Sequence, residues 1–148
     1  MEKNISSQHY NCLPEPILRN VIYSLYWDTT IITDRRIPAN RPDIVLKDLP
    51  KKTAYIIDIA HPNDHNLSPT IINKILKYQD LAEEIKEMWK MDRVEVIPLV
   101  ISTNGLIDKT QDRHCRKLDI PAFIIQKIQK SVLIDNSRIV RKFLNGSY

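Results

Sequence analysis

RPDIVLKDLPKKTAYIIDIAHPND, residues 41–64, is the stretch on which the fold turns. It holds two β-branched apolar arms, DIVLK and TAYIIDIA, joined by the short polar link DLPKK with Pro50. Arms of this length and composition, bounded by Pro and Asp, read as strands, and so short a link makes an antiparallel hairpin the simplest connection. The second arm also poses a chemical problem. Asp58 stands among Ile56, Ile57, Ile59 and Ala60, and a carboxylate buried there without a partner is costly. Either it faces water on an alternating strand, or a cation meets it.

Downstream of the hairpin, HPNDHNLSPT reads as a loop. Ser68 followed by Pro69 has the form of a helix N-cap with proline in the first helical position. Ile71, Ile75, Tyr78, Ala82, Ile85 and Trp89 step by three and four, which predicts one long amphipathic helix to about Met91. RVEVIPLVIS is the next strand, so strand, helix and strand form a crossover unit, for which the right-handed sense is expected. Upstream, Ile17, Val21, Ile22 and Leu25 of PEPILRNVIYSLYW recur at helical spacing after Pro14 and Pro16 and predict a short helix. DTTIITD predicts a strand over about 28–33, and RRIPANRP is extended because residues before proline avoid the helical region. LIDKTQDRHCRKL, FIIQKIQKSVLI and SRIVRKFL predict three further helices. Residues 1–13 read as a loose polar tail and residues 14–148 as one domain. The expected fold is α/β: a small central mixed sheet flanked by helices.

Composition narrows the function. The chain has 148 residues, 43% hydrophobic and 27% charged, as in ordinary globular proteins. No apolar run reaches the ~18 residues that span a bilayer. MEKNISSQHYNC lacks an apolar signal core, so an intracellular, unsecreted protein is expected. In that setting Cys12 and Cys115 are free thiols rather than a disulfide. His9 and Cys12 have the spacing of half a zinc site, but no second half follows. There are two glycines, Gly105 and Gly146, too few for a loop whose backbone cradles phosphates, which argues against P-loop and Rossmann nucleotide binding. No GxSxG elbow is present. The net charge of +4 favours a polyanionic partner.

Asp43 and Asp58 lie on the two arms of the hairpin, and ordinary pairing brings them to the same end of the sheet. Two close carboxylates repel, and a divalent cation relieves the repulsion. An oxygen-only ligand set suits Mg2+ or Mn2+. Such an ion polarises a phosphodiester and acidifies a water, and a neighbouring cation orients that water and stabilises the added negative charge. The helix after the hairpin offers Lys74 and Lys77, three residues apart on adjacent parts of one side. Arg35, Arg36 and Arg41 are placed to grip phosphates. Each feature has a plainer account. A PD dipeptide is common in turns, a strand Asp often faces solvent, and lysines on an amphipathic helix usually form its wetted face. His61, Asp64 and His65 of the following loop are further possible ligands, or simply loop polarity.

Four segments, NRPDIVLKD (40–48), YIIDIAHPND (55–64), KILKYQDLAEEIKEMW (74–89) and VEVIPLVI (94–101), occur in an order and spacing that resembles the restriction-like endonuclease domain of site-specific non-LTR retrotransposons, within the PD-(D/E)xK nuclease superfamily. The similarity runs from about Leu25 to IQKSVLIDNSRIVRKFL (128–144). It implies a restriction-endonuclease-like core and Mg2+-dependent cleavage of one strand of target DNA, whose freed 3′-hydroxyl primes a reverse transcriptase module of the same polyprotein. By this resemblance Asp43 and Asp58 are the catalytic acidic pair, with Ile59 joining them in the metal set. The superfamily's usual lysine position falls on Ala60, and the lysine moves to a KxxKY pattern met here by Lys74, Lys77 and Tyr78; Lys74 is favoured as nearer the N-terminal end of the helix. Tyr78 joins Arg35, Arg36 and Arg41 as an expected nucleic-acid contact. The sequence departs from the pattern at Asn40, where a histidine often stands, at SPTIINK, which lacks acidic residues, and at ISTNGLI. At 148 residues a polymerase is not expected beside the domain, so a fragment, a domesticated copy or a stand-alone nuclease is implied, working in the nucleus. The rival reading is a scaffold or DNA-binding domain that keeps the fold without the chemistry; a third is an enzyme acting on RNA or on DNA junctions.

Overall fold

A computed structural model describes residues 17–119 and 122–146. The expected tail, with His9 and Cys12, lies outside them; Cys115 is a buried free thiol. Five strands form one mixed sheet in the order β1-β2-β3-β4-β5: β1 Ile17–Arg19, β2 Tyr23–Trp27, β3 Ile44–Asp48, β4 Thr53–Ala60 and β5 Arg93–Val100. Helices α1 Leu67–Lys77 and α2 Gln79–Met88 link β4 to β5, and α3 Thr110–Lys117 and α4 Ala122–Leu144 follow. No helix among the described residues is long and apolar enough to cross a membrane.

The central hairpin forms as its composition demands. β3 and β4 pair antiparallel from Ile44↔Ile57 to Asp48↔Thr53. The link closes on Asp48, whose carboxylate accepts the Lys51 amide at 3.2 Å and pairs with the Lys51 ammonium at 3.5 Å. β4 and β5 pair in parallel from Thr53↔Arg93 to Ala60↔Val100, the geometry a helical crossover permits. Alternation puts Val45, Ala54, Ile56 and Asp58 on one face. Tyr78, Leu81 and Ile85 of the crossover cover it, with Ile31, Ile37 and Met91 completing the core.

Four expectations are corrected. The described part of the segment expected as a helix over PEPILRNVIYSLYW, residues 17–27, is the β1–β2 hairpin, with Ile17↔Tyr26 and Arg19↔Ser24 paired. Asn20 makes its turn by accepting the amides of Ile22 and Tyr23 at 2.8 and 2.5 Å, a side-chain turn typical of Asn. β2 then pairs with β3 along five residues, more than a short helix would satisfy. DTTIITD is not a strand. Asp28 takes a left-handed φ of 43°, which turns the chain off the sheet, and the irregular segment sinks Ile31 and Ile37 into the core. The single helix expected to Met91 is broken between Lys77 and Gln79, with Tyr78 at φ −104°, ψ 9°, and it starts at Leu67 with Asn66 rather than Ser68 at the cap position; neither Gly nor Pro stands at the break. Conversely, FIIQKIQKSVLI and SRIVRKFL are one helix, α4, because Ser137 bonds back to the Leu133 carbonyl at 2.8 Å instead of interrupting the turn.

Candidate active site

Asp58 sits on the covered face of β4 and is 3% exposed. Its apolar neighbours Ile56 and Ile57 are buried, while Ile59 is exposed, so the carboxylate points inward and water is not its partner. Two side chains of the crossover meet it instead. Tyr78 donates its hydroxyl to Asp58 Oδ1 at 2.8 Å, and the Lys74 ammonium lies 2.5 Å from Oδ2. Lys74 thereby neutralises Oδ2 as an ion pair.

Asp43 arrives from the other arm. One step beyond Ile44↔Ile57, the β3–β4 register brings Asp43 opposite Asp58, and directly opposed residues share a face. Its Oδ2 accepts the Ile59 amide at 2.6 Å. Asp43 is half-buried and lines an open recess with Trp27, Asp28 and Ile59. The two carboxylates therefore flank a single peptide unit, Asp58–Ile59. Ile59 has its N–H committed to Asp43, so only its carbonyl is left to join a metal set.

The lysines differ in role. Lys74 of α1 reaches Asp58 directly. Lys77 is exposed, lies over the Tyr78 ring at 4.5 Å and donates to its hydroxyl at 2.9 Å, so it acts on Asp58 only through Tyr78. Tyr78, expected as a nucleic-acid contact, is 1% exposed, with its hydroxyl turned to Asp58. Burial first, then its bond to Asp58, push the Tyr78 hydroxyl above the usual tyrosine range.

The expected phosphate grips are mostly engaged elsewhere. Arg35 donates to buried Glu84 of α2 at 2.7 Å and pins the 28–43 segment to the crossover; the pairing holds Glu84 below, and Arg35 above, its ordinary range. Arg41 forks onto Asp28 at 2.9 and 3.0 Å. Arg36 is exposed and has no partner among the described residues. His61 contacts the Ile101 carbonyl at 3.2 Å, and Asp64 accepts from Asn104 at 2.8 Å; both clip the loop after β4 to the turn after β5, and His65 is exposed.

Sequence reading missed Asp28. It enters the recess because its amide bonds the Asp43 carbonyl at 2.7 Å; a strand-then-turn signal at YWDTT was the only hint. A cavity of about 530 Å³ lined by Leu46, Asp48, Tyr55 and Lys117 opens elsewhere, without Asp43 or Asp58.

No group of three His, Cys, Asp or Glu residues assembles as a metal cage among the described residues. Two carboxylates and a backbone carbonyl nevertheless fit Mg2+, which keeps several waters and takes only one or two protein carboxylates. They do not fit a zinc site, which needs a fuller set of N or S donors. No protein-family model matches the chain, and no curated protein matches it.

Proposed function

We propose that the chain is a divalent-metal-dependent endonuclease that nicks one DNA strand by phosphodiester hydrolysis, on a PD-(D/E)xK core like that of the restriction-like endonuclease domains of site-specific non-LTR retrotransposons. One observation carries the reading. A buried aspartate, Asp58, is met by a lysine at 2.5 Å, with a second aspartate, Asp43, lining the open recess of the same hairpin and accepting the next amide, that of Ile59. Burying charge costs several kcal/mol per ion, which pairing only partly offsets, and a functional role accounts for its retention.

A divalent cation held by Asp43, Asp58 and the Ile59 carbonyl would neutralise the phosphodiester and acidify a water. The chain's own groups do the rest. Tyr78 fixes the Asp58 carboxylate from below. Lys74 holds positive charge beside it, where it would offset the negative charge that builds on the phosphate. In the hydrolysis the water oxygen bonds to phosphorus, the P–O3′ bond breaks, and the proton lost by the water ends on the 3′ oxygen, which leaves as a hydroxyl. A reverse transcriptase module of a parent polyprotein is the proposed user of that hydroxyl, in the nucleus.

Supercoiled plasmid incubated with Mg2+, Mn2+ or EDTA tests the reading. We expect nicked circles with either metal, none in EDTA, and a loss of at least ~100-fold in Asp58→Ala, the scale of removing a group central to charge stabilisation. Nicking that persists in EDTA or in Asp58→Ala refutes it. One feature favours a second reading, a binding domain without chemistry: the Lys74 ammonium is itself a neutralising partner for Asp58. Retardation of the plasmid with no nicking under any metal would decide for that reading.

A further inference from the structure

We infer that the outer face of α4 is a docking track for the phosphate backbone of duplex DNA. The inference takes its partner from the nuclease reading but rests on separate residues. α4 carries Lys127, Lys130, Arg138, Arg141 and Lys142 against Asp135 alone, a net charge of +4. That equals the net charge of the whole chain, so the remaining residues are balanced, seventeen of each sign. The excess is confined to one element.

It is also confined to one side. At ~100° per residue, Lys130, Arg138, Arg141 and Lys142 fall within about a third of the helix circumference. All four are exposed. Lys130, Leu133, Ile134, Ser137, Arg138 and Arg141 line one recess of about 440 Å³. Arg138 has a loose contact with Asp135 at 3.7 Å; Lys130, Arg141 and Lys142 have no acidic partner among the described residues. This contrasts with Arg35 and Arg41, whose charge is spent on Glu84 and Asp28.

The opposite side attaches the helix. Gln129 donates to the Gly105 carbonyl at 2.9 Å, and the Leu133 side chain lies against Gly105, whose φ of +81° suits glycine there. Gly105 belongs to the turn that follows β5. That turn is stitched to the loop after β4 by Thr103 N–H to the Pro62 carbonyl at 2.9 Å and by Asn104 to Asp64. α4 thus hangs from the end of the sheet where Asp58 lies. Leu133 of the apolar sector lies against Gly105, while Leu133, Ile139, Val140 and Leu144 are themselves exposed, so anionic vesicles are the rival that the test has to exclude. From Lys130 to Arg141 the track is ~17 Å long at ~1.5 Å per residue, a span of about five phosphates at ~3.4 Å per strand position.

The test is the salt dependence of binding. A fluorescent random-sequence duplex is titrated in EDTA at several KCl concentrations, with single-stranded RNA of equal length and phosphatidylserine vesicles as rival probes. Replacing Lys130, Arg138 and Arg141 together by Gln removes three contacts, and the slope of log affinity against log salt should flatten by ~2.7. The K86Q/K90Q pair, exposed cations elsewhere, controls for net charge and should leave the slope unchanged. Asp58→Asn should bind duplex normally in EDTA, so loss of nicking alone leaves this inference standing. An unchanged slope in the triple variant overturns it. So does an equal flattening per charge in the control pair, or tighter binding of the wild-type protein to RNA or vesicles than to duplex.

Discussion

Replacing Tyr78 by Phe isolates the bond that holds Asp58. The ring is 1% exposed, so Phe keeps the apolar burial and loses only the hydroxyl. Gone with it are the 2.8 Å donation to Asp58 Oδ1 and the 2.9 Å bond from Lys77. Asp58 then has Lys74 alone. A hydrogen bond to a charged group is worth about 1.5–3 kcal/mol, so we expect Tyr78→Phe to cost ~2 kcal/mol. For a chain of this size that is a fall of ~4–8 °C in Tm. Urea unfolding should show the midpoint move with the m-value unchanged. In an Asp58→Asn background the same substitution should cost at least ~1 kcal/mol less, the coupling expected of contacting groups. High pH gives an independent check. Burial and Asp58 hold the Tyr78 proton in the folded state where the unfolded chain releases it near 10. Its contribution is therefore intact below that pH and lost as pH rises above it, a decline that Tyr78→Phe should lack. A cost under ~0.5 kcal/mol, within the range of neutral substitutions, or strict additivity in the cycle, would refute the claim that this hydroxyl supports a buried carboxylate.

Two further outcomes follow from the same packing. Lys74→Met leaves Asp58 unpaired and should cost ~2–4 kcal/mol, less than a fully buried pair because Lys74 is a quarter exposed; adding Asp58→Asn should recover part of it, and urea midpoints of the three variants measure both. His114 of α3 is buried, and desolvation first, then Arg113 and Lys117, hold its imidazole below the usual range against the opposing pull of Glu95 and the Pro98 backbone. The folded protein keeps it neutral where the unfolded chain takes up a proton, so stability is full above about 6.5 and is lost as pH falls below it. Between pH 8 and 5 the urea midpoint should fall more in the wild-type protein than in His114→Gln.

The β3–β4 hairpin, the β4–β5 crossover and the convergence of Lys74 with Asp58 were legible in the residues. Short β-branched arms around a tight link have few alternatives, and a helix that returns the chain to a parallel strand must start beside the end of the first. The β1–β2 hairpin was not legible. Ile17, Val21, Ile22 and Leu25 fit a helical period, yet Val21 and Ile22 are exposed, and what organises the segment is the Asn20 side chain and the pairing with β3. Nor did the sequence show that Arg35 and Arg41 are committed, because their partners Glu84 and Asp28 lie 49 and 13 positions away.

Alternation along TAYIIDIA settles that Asp58 shares a face with Ile56 and Ala54, and the pairing of the arms brings Asp43 alongside. Which face is covered depends on where α1 and α2 come to rest. Local chemistry specifies which residues point together; burial and charge pairing arise between segments distant in the chain, and only their packing turns Asp58 from a wetted strand residue into an enclosed anion.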